Sequence, residues 1–409
     1  MRYHRRLAED KLREMADHFK IVLVVGARQV GKTTLLRHVF PRVKAFAFDP
    51  DQDLFGARAD PDLFLDNFPG PLLLDEIQHA PELMPALKRR VDESDLPGQY
   101  LMSGSQNLMV MREVCESMAG RVGILKLEGL ALEEQLEDER RGWLEEWLKS
   151  PGQFPRRVSG VTLPDATLPE FLWRGSLPGL LEYPDSLIPD YFRSYVQTYL
   201  ERDVRSMGGV ENLGDFSRFV GLLAALTAQE VNDSQLGREL GVSPPTARRW
   251  REILTHSFQW LELPPYHGNT IKRLSGRRKG YFSDTGLACW LQRVSSPESL
   301  PVSSHFGSSF ESWVVNQVHR QFVTCKLPPA AYHWRTFGGA EVDLVLERDG
   351  RLFPIEVKAG TRLSGRTLRG YRSFKETYGD CVAPALVVYA GREVYNVAPD
   401  AVAVPWFLL

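Results

Sequence analysis

The residues best suited to chemistry begin with Gly26-Ala27-Arg28-Gln29-Val30-Gly31-Lys32-Thr33, followed by Thr34. The spacing G-x-x-x-x-G-K-T makes a phosphate cradle. Gly26 and Gly31 let backbone N–H groups converge on phosphate oxygens with no Cβ in the way. Lys32 reaches the β- and γ-phosphates, and the Thr33 hydroxyl suits a Mg²⁺ site. A second group, Pro71-Leu72-Leu73-Leu74-Asp75-Glu76, ends an apolar run in two carboxylates. Asp75 would hold Mg²⁺ directly or through water, and Glu76 would polarise the attacking water. Ser103, Ser105 or Gln106, closing the run from Gln99, would sense the γ-phosphate. Together these residue types specify nucleoside triphosphate hydrolysis.

The elements that must position them follow from pattern. Ile21 to Val25 is a short β-branched run, read as a buried parallel strand. Thr33 to Phe40 opens a helix whose N-terminus adds partial positive charge to the cradle. Leu7 to Phe19 reads as an amphipathic helix, Val43 to Phe48 as a strand, and Asp60 to Phe68 as a short helix. Val110 to Ala119 reads as a helix before the strand Val122 to Leu127. Between them stands Arg121, either an arginine finger for a neighbouring subunit's nucleotide or a surface, helix-capping residue.

A third chemical group lies near the C-terminal end. Two alternating runs flank Asp349-Gly350, the signal of a tight hairpin. A two-residue turn pairs Arg348 with Arg351 and sets Asp343 opposite Glu356. Val342, Leu344, Leu346, Phe353, Ile355 and Val357 then share a core face; Glu341, Asp343, Glu356 and Lys358 share the other. Facing carboxylates destabilise each other unless a cation compensates, and Mg²⁺ or Mn²⁺ fits such hard oxygen ligands. Lys358 would orient water or stabilise a pentavalent phosphate. The plainer reading is a solvated hairpin with Glu341 and Lys358 as an ion pair.

Asp233 to Trp250 reads as two helices around Gly241, with Ser243 capping the second and Pro244 opening it. That helix carries Arg248, Arg249 and Arg251. Lys272, Arg273, Arg277, Arg278 and Lys279 would form a basic wing between flanking strands. Helix plus wing is a DNA-binding format, although such domains also serve as packing modules. Tyr191 to Val204 reads as a further helix.

The chain has 409 residues, net charge −2, 43% hydrophobic and 25% charged residues. That balance suits two or three globular domains and gives no global basic bias toward nucleic acid. Four cysteines without a C-x-x-C pair argue against zinc and a disulfide framework. With no signal peptide and no stretch of about 18 apolar residues, a cytoplasmic protein without a membrane partner is expected. No N-K-x-D string reads guanine, and no arginine-rich lid suggests a nucleotide kinase.

The order of the P-loop, Leu74-Asp75-Glu76-Ile77-Gln78, Ser103-Gly104-Ser105 and Gly120-Arg121 resembles the AAA-plus ATPase fold. It is similar to a bacterial and archaeal group whose C-terminal domain has been described as of unknown function. Asp343 with Glu356-x-Lys358 resembles the PD-(D/E)XK nuclease core, with Val342 in place of its usual Pro. The residue patterns and the resemblance together imply an α/β chain: an AAA-plus core over 1–128, a helical connector over 129–205, a winged-helix domain over 206–295, and a restriction-endonuclease-like α/β domain over 300–409. It implies ATP and Mg as cofactors, DNA as a partner, and ring-like homo-oligomers. It also marks Glu311 as a further metal ligand, against its reading as part of a Ser308-x-x-Glu311 capping box. The expected activity is ATP hydrolysis coupled to DNA remodelling and metal-dependent cleavage. The alternative is a regulatory ATPase that binds DNA or protein without cutting.

Overall fold

The computed structural model describes residues 2–409 except 106–117, 119, 138–141, 152–163, 165, 201–209, 211, 270, 272, 274–275 and 365–366. The expected helix from Val110 to Ala119 therefore lies almost wholly outside the described residues, as do Gln106 and Lys272. Two compact units emerge: one runs to Gly129 and includes His256–Gln259, and the other holds the remainder.

The first unit is built on a parallel sheet. Its elements are α1 (Glu9–His18), β1 (Ile21–Val25), α2 (Lys32–Val39), β2 (Lys44–Ala47), α3 (Pro61–Asn67), β3 (Leu72–Asp75), α4 (Leu83–Asp92), β4 (Tyr100–Gly104) and β5 (Val122–Lys126). Strand order is β2-β3-β4-β1-β5, with every pairing parallel. β1, β3 and β4 are buried along their whole length, which is why they read as continuous apolar runs. The Asp60 side chain accepts from Leu63 N and starts α3. That helix sets Phe64 against Phe46, Phe48 and Phe68, with ring centroids 5.1, 6.2 and 5.2 Å away. Such aromatic pairs each add about 0.5–1.5 kcal/mol beyond the area they bury. Because β4 lies between β1 and β3, the C-terminal ends of all three strands meet beside the glycine loop.

Among the described residues the second unit holds two sheets. Its helices of seven or more residues, again among the described residues, are α5 (Trp143–Lys149), α6 (Leu168–Arg174), α7 (Ile188–Tyr195), α8 (Leu213–Ala225), α9 (Asp233–Leu240), α10 (Pro244–His256), α11 (Thr285–Leu291), α12 (Phe306–Arg320) and α13 (Arg369–Tyr378). Of the expected helix from Tyr191 to Val204, residues 191–195 lie in α7 and Val196–Leu200 form a wider helical turn, while residues 201–204 lie outside the described residues. β6 (Gln229–Glu230), β7 (Trp260–Leu263) and β8 (Lys279–Phe282) form a small antiparallel sheet in the order β6-β8-β7. α9 and α10 meet at Gly241, whose φ of 72° suits glycine, and Ser243 Oγ accepts from Thr246 N at 3.2 Å. A helix, a turn, a helix and an antiparallel strand pair thus follow one another here.

The larger sheet runs β13-β14-β12-β11-β10-β9, with β9 (Ala330–Arg335), β10 (Glu341–Arg348), β11 (Arg351–Lys358), β12 (Ala385–Tyr389), β13 (Tyr395–Ala398) and β14 (Ala401–Pro405). β10 and β11 pair with Arg348 opposite Arg351 and Leu344 opposite Ile355, across a turn with Asp349 and Gly350 at φ 53° and 75°. One expectation fails here. The hairpin does not have a core face and a wet face, because both are covered. Val345 and Leu352 pack with Tyr371 and Phe374 of α13, while Phe353 meets Trp147 of α5. A register shift between Val342 and Val345 also moves Val342 into the α13 cluster, away from its expected place beside Leu344.

Candidate functional site

Nucleotide chemistry centres on the loop between β1 and α2. A Cβ on Gly26 would stand 2.0 Å from the Leu127 carbonyl oxygen, so only glycine fits there. Gly31 caps α2 at φ 93°, and Gln29 takes φ 64° inside the loop. Lys32 is buried, its Nζ donating to the Gly26 and Ala27 carbonyls at 3.0 and 2.9 Å. The ammonium thus spans the cradle that a triphosphate would fill. Val30 is tied from outside by a residue the sequence reading did not single out. Buried Arg6 donates from Nη1 to Val30 O and from Nη2 to Glu128 O, each at 2.7 Å.

The ends of β3 and β4 supply the second half. Thr33 Oγ1 lies 2.8 and 2.9 Å from the two Asp75 carboxylate oxygens. Ser103 Oγ also donates to Asp75, and it accepts from Glu76 N at 3.3 Å. A hydroxyl and a carboxylate at this spacing fit a hard divalent cation that keeps some of its waters. Glu76 sits at φ 54°, ψ 47°, a left-handed conformation rare outside glycine. Burial pushes its carboxyl up, but Lys32, the Gln78 amide and Arg28 outweigh burial and hold it below the ordinary value. Ser105 is buried and accepts from Gln78 Nε2 at 3.2 Å. Of the three candidates for contact with the γ-phosphate, Ser105 reaches the neighbourhood of Glu76, Ser103 is occupied by Asp75, and Gln106 lies outside the described residues.

Arg121 does not join this constellation. It precedes β5 at the end of the sheet opposite the glycine loop, where its carbonyl accepts from Ile21 N. Its guanidinium pairs with Asp92 at the end of α4, Nη2 to Oδ2 at 3.1 Å. A catalytic part in its own chain's site is excluded by this position.

In the second unit Asp343, Glu356 and Lys358 do converge. Lys358 Nζ lies 2.8 Å from Glu356 Oε2 and 3.4 Å from Asp343 Oδ2. Asp343 Oδ2 also accepts from Val357 N at 2.7 Å, and Glu356 Oε1 from Tyr371 N at 3.1 Å. The latter contact depends on Gly370, because a Cβ there would meet the Glu341 carbonyl oxygen at 1.7 Å. Both carboxylates are nearly inaccessible, at 4% and 2%, so the reading of a solvated hairpin fails. Glu311 is not part of a capping box. Ser308 Oγ donates to the His305 carbonyl, and Glu311 instead accepts from Tyr281 OH at 2.9 Å and pairs with Lys279 at 2.6 Å. Lys279 stands 4.0 Å from Asp343 as well. Two lysines thus separate the three expected metal ligands. Among the described residues no three His, Cys, Asp or Glu side chains form a group that could hold a metal ion. Burial pushes Glu356 up to about 7, with Asp343 adding to it, and burial pushes Glu311 up to about 7 against the pull of Lys279.

The expected DNA-contacting residues divide. Arg248, Arg249, Arg277 and Arg278 are exposed. Three others are corrected. Arg251 is held by both Asp233 oxygens at 2.8 Å and by Glu262. Arg273 pairs with Glu347 at 2.9 Å and lies over the Tyr266 ring. Lys279, the first residue of β8, is buried in the acidic cluster. Each was a basic side chain in a basic stretch, and each has a carboxylate partner far away in sequence.

Comparison with known proteins gives three family matches. Residues 18–136 match the AAA domain, and residues 165–298 and 306–409 match two domains of unknown function, DUF8612 and DUF4143. The uncharacterized proteins Rv2008c of Mycobacterium tuberculosis and Mb2031c of Mycobacterium bovis are each 31% identical over 409 residues, 99% of this chain and 84% of theirs. Among solved structures, the Walker-type ATPase PABY2304 of Pyrococcus abyssi aligns at 16% identity and TM-score 0.41 over 70% of this chain and 94% of that one. A Pyrococcus horikoshii STAND protein with a tetratricopeptide repeat sensor, PH0952, aligns at 12% and 0.26 over 75% and 47%. No helix among the described residues is long and apolar enough to cross a membrane.

Proposed function

The chain belongs to one family with the two mycobacterial proteins and carries an AAA-type P-loop ATPase domain, and from that premise we propose a Mg²⁺-dependent ATPase that regulates DNA binding by its second unit without cutting DNA. The observation that carries the ATPase half is the meeting of Thr33, Asp75 and Glu76 at the mouth of the glycine loop. Thr33 and Asp75 would hold Mg²⁺, which when bound neutralises charge on the β- and γ-phosphates. Lys32 leaves the loop carbonyls for the phosphates, and the loop N–H groups with the α2 N-terminus hold the rest. Glu76, kept ionised by Lys32 and Arg28, accepts a proton from the attacking water. The Glu76→Gln variant tests this: it should bind MgATP and lose at least ~100-fold in turnover. Near-parental turnover removes Glu76 from that role.

The regulatory half rests on Lys279 and Lys358, which already supply the positive charge that Asp343, Glu356 and Glu311 need. Exposed Arg248, Arg249, Arg277 and Arg278 on the helix-turn-helix and its wing favour a winged-helix module that meets DNA phosphates. A second reading, a PD-(D/E)XK-like nuclease, draws on the convergence of Asp343, Glu356 and Lys358. Labelled single-stranded, duplex and branched DNA with Mg²⁺ or Mn²⁺, with and without ATP, separates the two. Cutting by the parent but not by Asp343→Ala establishes the nuclease. No cutting, with DNA-stimulated ATPase, supports the regulator. Arg121 paired with Asp92 leaves a role in a neighbouring copy as a ring-dependent proposal, tested by whether Arg121→Ala lowers turnover in mixed assemblies.

A further inference from the structure

We propose that Gln78 is a water-positioning residue of the ATPase, its carboxamide oxygen accepting a hydrogen from the water that attacks the γ-phosphate while its nitrogen fixes Glu76. The proposal rests on the ATPase reading above and adds a second group to the hydrolytic step.

Gln78 lies in the short turn Ile77–His79 that follows Glu76. Its Nε2 donates to Glu76 Oε2 and to Ser105 Oγ, the latter at 3.2 Å. A carboxamide nitrogen has two hydrogens, so both are committed. Turning the amide over would press its oxygen against the Glu76 carboxylate, acceptor against acceptor, so Glu76 fixes the orientation. The remaining atom, Oε1, is shut off from solvent and meets no donor among the described residues. A buried acceptor left without a donor costs about 1–3 kcal/mol, and native proteins rarely leave one. The surroundings supply a reason. Glu76 and Ser105 both stand beside the phosphate cradle, and Glu76 is held in a left-handed backbone conformation of the kind that persists where structure over-determines it.

The groups that now cover Gln78 Oε1 must part when nucleotide binds; a water admitted there has two hydrogens for two acceptors, the Glu76 carboxylate and Gln78 Oε1. Its oxygen lone pair is then free to face the γ-phosphorus. In the step itself the water oxygen bonds to the γ-phosphorus. The bond from that phosphorus to the bridging oxygen breaks, its electron pair leaving on ADP. The proton shared with Glu76 passes to that carboxylate and then to solvent. Gln78 takes no proton; it fixes direction. An interaction of this kind strengthens toward the transition state and leaves ground-state binding nearly unchanged.

The test is Gln78→Met, of similar volume and without the amide, together with Gln78→Asn, which keeps the amide but withdraws it by one methylene. In the full-length chain both should lose at least tenfold in kcat. Affinity for a fluorescent ATP analogue should stay within about threefold. Affinity for the ADP–aluminium fluoride–Mg²⁺ transition-state complex should fall by about the same factor as kcat. Turnover within twofold of the parent in either variant overturns the proposal while leaving the ATPase intact. A loss of ATP affinity that accounts for the whole effect overturns it too, since Gln78 would then merely shape the loop. A parent that binds ATP but never hydrolyses it defeats the ATPase reading itself.

Discussion

Lys279 Nζ at the start of β8 pairs with the Glu311 carboxylate on α12 across 2.6 Å, and both side chains are largely shut off from water, at 9% and 15% exposure. A basic residue that the sequence assigns to a nucleic-acid surface is thus an internal counter-ion. Lys279→Met leaves Glu311 buried without its cation and Asp343 with one fewer. Breaking a buried pair in this way costs about 3–5 kcal/mol. Adding Glu311→Gln should recover most of that loss. Urea unfolding of the parent, both single variants and the double variant measures the coupling. Additive effects would deny the pair.

The same cluster sets a pH dependence. Glu311 and Glu356 have folded pKa values near 7 against an ordinary 4.5. Between those values the folded chain holds more protons than the unfolded chain, so this contribution to stability falls as pH rises through the window. His333, held by burial at about 4 against 6.5, acts in the opposite sense below pH 6.5. Comparison of parent and variant isolates the carboxyl effect. Glu356→Gln should gain melting temperature relative to the parent between pH 5 and pH 8, at about 2–4 °C per kcal/mol. A constant difference across that range would show that Glu356 titrates normally.

What was legible in the sequence was local. The glycine loop, the strand ending in Asp75-Glu76, the Asp349-Gly350 turn and the Ser243 cap each depend on neighbours within a few residues, and each forms as read. What was not legible depended on distant partners. Arg251 answers to Asp233 and Glu262, Arg273 to Glu347, and Lys279 to Glu311. Nothing within a basic stretch distinguishes an arginine that will meet such a carboxylate from one that stays exposed. The face of Val342 was misread because a strand's period of two holds only until a bulge interrupts it. Gly370 carried a signal, a glycine in the first turn of α13, that fits the close backbone approach now seen at Glu341.

The division among the basic residues predicts two phenotypes. Replacing Arg248, Arg249, Arg277 and Arg278 together by alanine should weaken duplex DNA binding at least tenfold. The dependence of log affinity on log salt should become shallower by about 0.9 for each phosphate no longer neutralised. Stability should change little, because the ion pair of Arg248 with Glu252 is exposed and Glu262, which Arg278 meets at 3.9 Å, keeps Arg251 as its partner. Arg251→Ala should do the reverse, lowering stability and leaving affinity and salt slope near the parent. Fluorescence anisotropy at several salt concentrations, beside thermal unfolding, checks both. Equal loss of affinity in the two variants would refute the division.

Arg6 yields the last prediction. Its guanidinium reaches the Val30 carbonyl inside the glycine loop and the Glu128 carbonyl just past β5, while its backbone N–H donates to Glu9 Oε1 at 2.9 Å. One side chain thus fastens the loop to the strand beside it, and hydrogen bonds from a charged donor contribute about 1.5–3 kcal/mol each. Val30 immediately precedes Gly31, which takes φ 93° where the loop enters α2. Freeing Val30 lets that peptide rotate, so nucleotide must restore the order when it binds. Arg6→Ala should therefore raise the Kd for MgATP about tenfold or more, while kcat at saturation falls far less. Arg6→Lys should not rescue it, because one ammonium on a flexible stem lacks the planar fork that spans two carbonyls. Millimolar guanidinium, filling the vacated space, should partly restore affinity in Arg6→Ala alone. If Arg6→Ala binds MgATP as the parent does, the fastening has no part in shaping the cradle.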